Sequence, residues 1–175
     1  AVPVYPGVAE RPGLHEPVKP GRPPREINLQ VRIAAVACGL GEIGWSKVFL
    51  HPVFGPRVRL GTILTDAELE PDPLVEPGTL CNRCMRCARD CPGNAIPRPG
   101  DRPPISIRIA DKTYRYVRKN LWRCAWGEHF DLDLDLPIPA HVNEQVILDA
   151  VKKHGTRGGE MGSCLRHCLP KARRY

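Results

Sequence analysis

The sequence predicts an α+β domain with an irregular, proline-rich N-terminal extension. Three observations carry this. Twenty prolines and sixteen glycines in 175 residues call for much irregular backbone. Helical and strand-like apolar patterns both occur, and each is short. Eight cysteines are present, four of them within the eleven residues from Cys81 to Cys91, which marks a small lobe organised by thiol chemistry.

Taken in order, residues 1–28 carry "VYPG", "RPG" and "KPGRPP" and predict an extended arm rather than part of a core. "NLQVRIAAVAC" predicts a helix capped by Asn28 and stopped at Gly39. "VRLGTIL" reads as a buried strand. "ISIRIADKTYRYV" alternates with period two and predicts a hairpin with its turn at Asp111 and Lys112. "DLDLDL" reads as an alternating strand or an acidic docking edge. Its aspartates Asp131, Asp133 and Asp135 start like a calcium loop. However, Leu136 stands where the loop glycine belongs and Val142 where the glutamate belongs. "NEQVILDAVKKHG" predicts an amphipathic helix capped by Asn143 and closed by Gly155, with Lys152 and Lys153 at the negative end of its dipole. A division follows at 1–28, 29–78 and 79–175.

Composition excludes several function classes. No run of eighteen apolar residues spans a membrane, and no signal peptide or twin-arginine leader is legible, so the expectation is a cytoplasmic protein. The formal charge of +7 invites nucleic acid as a partner. Aromatic residues are few and do not interleave with a basic stripe, which argues against it. Eight thiolates on two cubane cores of about +2 each would also remove about four positive charges. Arg83, Arg86 and Arg89 lie between the clustered cysteines, where they offset thiolate charge.

The run from Cys81 reads C-x2-C-x2-C-x3-C-P. Disulfides do not explain it, because neighbours so close rarely pair with each other. Zinc sites separate their C-x2-C pairs by a long stretch. The spacing is that of a bacterial iron–sulfur run, in which a tight loop wraps three thiolates around one cubane and the fourth cysteine serves a second. Cys91 is expected to open a short helix, with Pro92 ending the loop and Gly93 permitting a turn. The predicted fold is therefore a ferredoxin-like domain with two [4Fe-4S] clusters. Cys81, Cys84, Cys87 and, by the mirror logic of two-cluster ferredoxins, Cys168 are expected to hold cluster one. Cys91, Cys124 and Cys164 are expected to hold cluster two. Backbone N–H groups of Asn82, Met85 and Arg86 are the expected donors to sulfur.

Cluster two then has three ligands. A complete second run would place a cysteine at 161, where the residue is Met161. Three solutions stay open: Cys38, a non-cysteine group such as His129, Glu128 or Glu160, or a [3Fe-4S] cluster. The expectation for Cys38 is a packing residue, since a lone cysteine in an apolar run behaves as a small hydrophobe. "GLGEIG" resembles a phosphate-binding loop but follows a helix-like run instead of a strand.

The succession of "GLGEIG", "FGPRVRLG" and C-x2-C-x2-C-x3-C-P, from about Ala34 to Ile96, resembles the cobalamin-dependent epoxyqueuosine reductase and reductive dehalogenase superfamily. The resemblance makes 29–78 a corrinoid-reductase-like α/β segment. It implies a cobalamin cofactor that receives electrons from two four-iron clusters. Gly39, Leu40, Gly41 and Gly44, with Phe54, Gly55, Pro56, Arg57 and on to Arg59, would then face the corrinoid. Family members build most of the corrinoid cavity and the proton donor from a large N-terminal half, and no catalytic acid maps onto this chain. The leading expectation is an electron-transfer protein serving a redox partner or a larger anaerobic oxidoreductase complex. A corrinoid reductase and a nucleic-acid-associated iron–sulfur protein are the alternatives.

Overall fold

The structure is a computed structural model and describes residues 2–4, 20, 30–155 and 162–168. It combines short helices with three two-stranded antiparallel sheets. Most of the proline-rich arm, Asn28, Glu160 and Met161 lie outside the described residues, as does the His129 side chain.

Strand β1 (Val2–Val4) pairs antiparallel with β4 (Thr62–Leu64). Helix α1 (Val31–Ala37) starts at Gln30 without a side-chain cap and ends at Cys38. Gly39 follows at φ +74°, the left-handed residue that stops a helix. Strands β2 (Glu42–Ile43) and β3 (Phe49–Leu50) form a tight hairpin against α1. The expected buried strand over "VRLGTIL" is not there. Val58 and Leu60 pack on the core as irregular chain, and only Thr62–Leu64 is strand. Having a single partner strand, it leaves Ile63 67% exposed. An apolar run alone cannot separate a strand from an irregular segment that anchors two side chains.

Strands β5 (Ile105–Ile109) and β6 (Lys112–Tyr116) pair with Ile107 opposite Tyr114. The turn is Ala110–Asp111, one residue earlier than expected, with Ala110 at φ +50°. Ile105, Ile107, Ile109, Tyr114 and Tyr116 face inward against Ala35, Val36, Ile43 and Phe49. This is the first of three cores.

The second core is built partly of thiols. Trp45, Ala88, Ile96, Val117 and Cys164 are buried there, with Cys81, Cys87 and Cys91 packed against them. Its helices are single turns: α2 (Arg86–Arg89), which packs on α5 (Ser163–Arg166). The third core joins helix α3 (Leu121–Cys124), its π-helical continuation Ala125–His129 and helix α4 (Glu144–His154) through Trp126, Leu132, Val142 and Ile147. "DLDLDL" is not a strand. Asp131 adopts φ +48° and opens a 3-10 turn over Leu132–Leu134 that buries Leu132 and exposes Leu134.

Helix α4 begins where its cap predicts. The Asn143 Oδ1 atom accepts the Val146 N–H at 3.0 Å, and Gly155 closes the helix at φ +77°. Replacing Asn143 by alanine is expected to cost about 1 kcal/mol, measured as a shift in the urea midpoint. A neutral result would mean that packing through Ile147, not the cap, sets the start of α4.

Candidate metal centre

The cysteine run folds as a loop that turns back on itself. Arg83 and Met85 both take left-handed conformations, at φ +54° and +57°. Each costs a non-glycine residue roughly 1–2 kcal/mol, so the surroundings must hold it there. Left-handed residues set among right-handed ones turn successive N–H groups into a concavity that suits anions, iron–sulfur groups included. The short helix falls on Arg86–Arg89 and carries Cys87. It does not start at Cys91 as expected, because Pro92 and Gly93 lead the chain into turns. Gly93 answers a close approach: a Cβ there would lie 2.2 Å from the Arg123 carbonyl oxygen. That approach brings the Cys91 loop against α3, which carries Cys124.

Two cavities result. Cys81, Cys84, Cys87 and Cys168 line the first, together with Gly44, Trp45 and Ser46, around a space of about 400 Å³ including its solvent-open part. Cys91, Cys124 and Cys164 line the second, of about 340 Å³, together with Lys119 and Glu128. Cys38 lines neither and is exposed. It caps α1 on the solvent side, so the expectation of a buried packing residue is corrected.

Among the described residues, no three His, Cys, Asp or Glu side chains converge on a point where one ion could be held. The thiols stand around a space instead. A cubane asks for that arrangement, because each thiolate binds a different iron. The donor set is soft, as such clusters require.

The surroundings of the sulfurs are equally specific. The Trp45 N–H points at the Cys81 sulfur at 3.3 Å, and the Ala95 N–H at the Cys91 sulfur at 3.3 Å. These donors flank the run, where sequence reasoning had looked to Asn82, Met85 and Arg86 within it. The Ser46 hydroxyl hydrogen-bonds Cys87. Lys119 Nζ stands 3.8 Å from the Cys124 sulfur. Burial pushes the Cys87 thiol up to about 11, with the neighbouring Cys81 adding to it. Burial also pushes Cys168 up to about 12, with Cys81 next in importance. Cys124 rises to about 12 through burial and then its hydrogen bond to Glu128, and Cys164 rises chiefly through burial. Without a metal these groups are neutral thiols at pH 7, so metal binding must release their protons.

Sequence reasoning missed Glu42. Its side chain is buried, and its carboxylate accepts the N–H groups of Gly78 at 2.7 Å, Leu80 at 2.8 Å and Cys81 at 3.3 Å. It thereby fixes the entry to the cysteine run. The signal was an acid set between glycines in an otherwise apolar stretch. Trp45 is anchored by its indole N–H on the Pro97 carbonyl at 2.8 Å, and Arg83 lies over its ring at 5.4 Å.

The residues that the family resemblance placed beside a corrinoid are spread out. Gly39 packs on Asp72 and Pro73, Gly41 on Leu50, and Gly44 on cavity one. Leu40 and Phe54 are exposed, and Phe54 stacks on His51. Gly55 bridges to His51, and Arg57 donates to the Arg166 carbonyl at 3.1 Å, which ties its loop to α5. Pro56 and Val58 border a third, open concavity of about 870 Å³ with Val31, Arg32, Phe49 and Leu60. Lys119, Glu128 and Cys164 belong to its wall as well as to that of cavity two. No helix among the described residues is long and apolar enough to cross a membrane.

Comparison with known proteins identifies partial relatives. The tetrachloroethene reductive dehalogenase of Sulfurospirillum multivorans is 41% identical over 64 residues, 35% of this chain and 13% of that protein. That of Dehalobacter restrictus is 36% identical over 85 residues, 46% of this chain and 15% of the relative. An epoxyqueuosine reductase of Synechococcus sp. is 38% identical over 65 residues, 37% of this chain and 20% of the relative. The chain thus spans between about an eighth and a fifth of the length of these curated relatives. No family model and no solved structure gives a significant match.

Proposed function

We propose that this chain holds two cubane clusters and delivers electrons one at a time to a corrinoid reductase site of the reductive dehalogenase kind. One observation carries the reading: two thiol-lined cavities stand in series with the open concavity bordered by Pro56, Val58 and Leu60. Cavity two shares Lys119, Glu128 and Cys164 with that concavity, so it is the exit side. Partial homology to reductases, in one case over 46% of the chain, supports the destination.

When bound, the clusters supply a one-electron relay. The chain's own groups hold and tune it. Cys81, Cys84, Cys87 and Cys168 would hold cluster one, and Cys91, Cys124 and Cys164 would hold cluster two, in a ferredoxin-like crosswise arrangement. The N–H groups of Trp45 and Ala95 and the Ser46 hydroxyl stabilise negative charge on sulfur and so raise the potential of the group bound there. Trp45, Ile96 and Val117 keep water from the sulfurs. Arg83 and Arg86 are exposed at the rim of cavity one and offer a basic face to an acidic redox partner.

The test is a metal analysis of anaerobically purified protein with electron paramagnetic resonance before and after reduction. About eight irons, matched sulfide and corrinoid cobalt support the full reading. Iron and sulfide without cobalt, even after incubation with cobalamin, restrict it to an electron carrier for another complex. Zinc without labile sulfide rejects it. Replacing Cys91 by serine should disturb the cluster associated with Cys124 and Cys164 and leave the other signal largely intact. Loss of the Cys81-side signal alone would overturn the crosswise assignment.

A further inference from the structure

Cavity two lacks a fourth thiol among the described residues, yet its wall carries a carboxylate. Glu128 lies one turn beyond Cys124, inside the π-helical segment Ala125–His129. Single π-turns of this kind occur often at functional sites. The Glu128 Oε2 atom accepts a hydrogen bond from the Cys124 sulfur at 3.0 Å, so carboxylate and thiol already address the same space. A second observation points the same way. Gly162 leaves room for the carboxylate: a Cβ there would come within 2.9 Å of its carbon and 3.0 Å of Oε1. The residue two positions before Cys164 thus has its side chain removed where the Glu128 head group sits.

We propose that Glu128 is the fourth ligand of the cluster held by Cys91, Cys124 and Cys164. The assignment rests on the two-cluster reading above. Iron takes a hard carboxylate oxygen, and exchange of a thiolate for a weaker donor raises the cluster potential and loosens one iron. Cluster two is then the more easily reduced and the more labile of the pair, placed on the side that faces the open concavity.

The experiment compares full-length wild type, Glu128→Ala, Glu128→Cys, Met161→Leu and Cys38→Ala, each purified anaerobically. Ferricyanide takes one electron from a four-iron cluster in its resting 2+ state. The oxidised cluster releases one ferrous ion and leaves a three-iron cluster with its own resonance signal. In wild type, one cluster of the two is expected to convert this way and to reform when ferrous iron and dithionite, as the returning electron source, are added. Glu128→Cys should resist conversion and lower the potential of cluster two. Glu128→Ala should be isolated with cluster two already in the three-iron form, about one iron short of eight. Met161→Leu and Cys38→Ala should match wild type.

A four-iron cluster two of unchanged potential in Glu128→Ala overturns the assignment. So does a three-iron form appearing in Met161→Leu or Cys38→Ala instead. If the alanine variant does not fold, unchanged ferricyanide sensitivity and potential in Glu128→Cys overturn it equally. Wild type with no iron or sulfide rejects the two-cluster reading itself, whereas about eight irons with an indifferent Glu128 reject this assignment alone.

Discussion

Replacing Cys87 by serine is expected to remove about half of the bound iron and to destabilise the whole lobe. Cys87 sits on α2 inside the second core, beside Cys81, Cys91 and the buried Trp45, Ala88 and Val117. That core has few aliphatic side chains of its own, and the two helices that frame it are single turns. Single turns do not hold themselves in water. Their stability comes from what they enclose, and here they enclose a thiol-lined cavity. An emptied cavity in a core costs about 2–5 kcal/mol in lost contacts, and the metal's linkage to folding adds to that. The measurements are iron and sulfide per chain and the denaturant midpoint under anaerobic conditions. Full iron, an unchanged spectrum and an unchanged midpoint in the serine variant would end the iron–sulfur reading. A chelator titration of wild type should produce the same loss of stability.

The features of this fold that were legible in the sequence are those with local physical causes. Asn143 and Gly155 bound α4 because a side-chain oxygen and a left-handed glycine act within one turn. The β5–β6 hairpin follows from period-two alternation, and only its turn is displaced by a residue. The grouping of Cys81, Cys84 and Cys87 around one space follows from their separations, which a tight loop can turn inward. What was misread depends on contacts distant in sequence. "VRLGTIL" has strand composition, yet Val58 and Leu60 are taken by the first core and Thr62–Leu64 pairs with Val2–Val4. "DLDLDL" alternates perfectly, but Asp131 in a left-handed conformation winds it into a 3-10 turn. Cys38 looked like a core residue because its run is apolar, although the face it occupies at the end of α1 is open. Trp45 and Ala95 could not be picked as sulfur donors, because only the fold brings Trp45 across 36 positions to Cys81.

Glu42 belongs to the same class, and its removal is the second large effect. Glu42→Ala is expected to cost about 3 kcal/mol or more, since it deletes a buried carboxylate that three backbone N–H groups share. The alanine leaves the N–H groups of Gly78, Leu80 and Cys81 facing an apolar hole. The loop that enters the cysteine run must then swing towards water to satisfy them. Glu42→Gln should cost less, because its amide oxygen still accepts while its NH₂ opposes the remaining donors. The effect should also be directional. Glu42 reaches the chain at Cys81, on the wall of cavity one, and no cysteine of cavity two takes part in its hydrogen bonds. The resonance of cluster one should therefore broaden or shift in both variants, more in the alanine, while that of cluster two stays near wild type. Equal damage to both signals would make Glu42 a general stabiliser of the fold. An alanine variant with wild-type stability and both signals intact would show that the cysteine loop closes without the carboxylate. The order alanine, glutamine, wild type in stability and in cluster-one signal would identify Glu42 as a positioning residue, one that sets where the first thiolate enters the cavity.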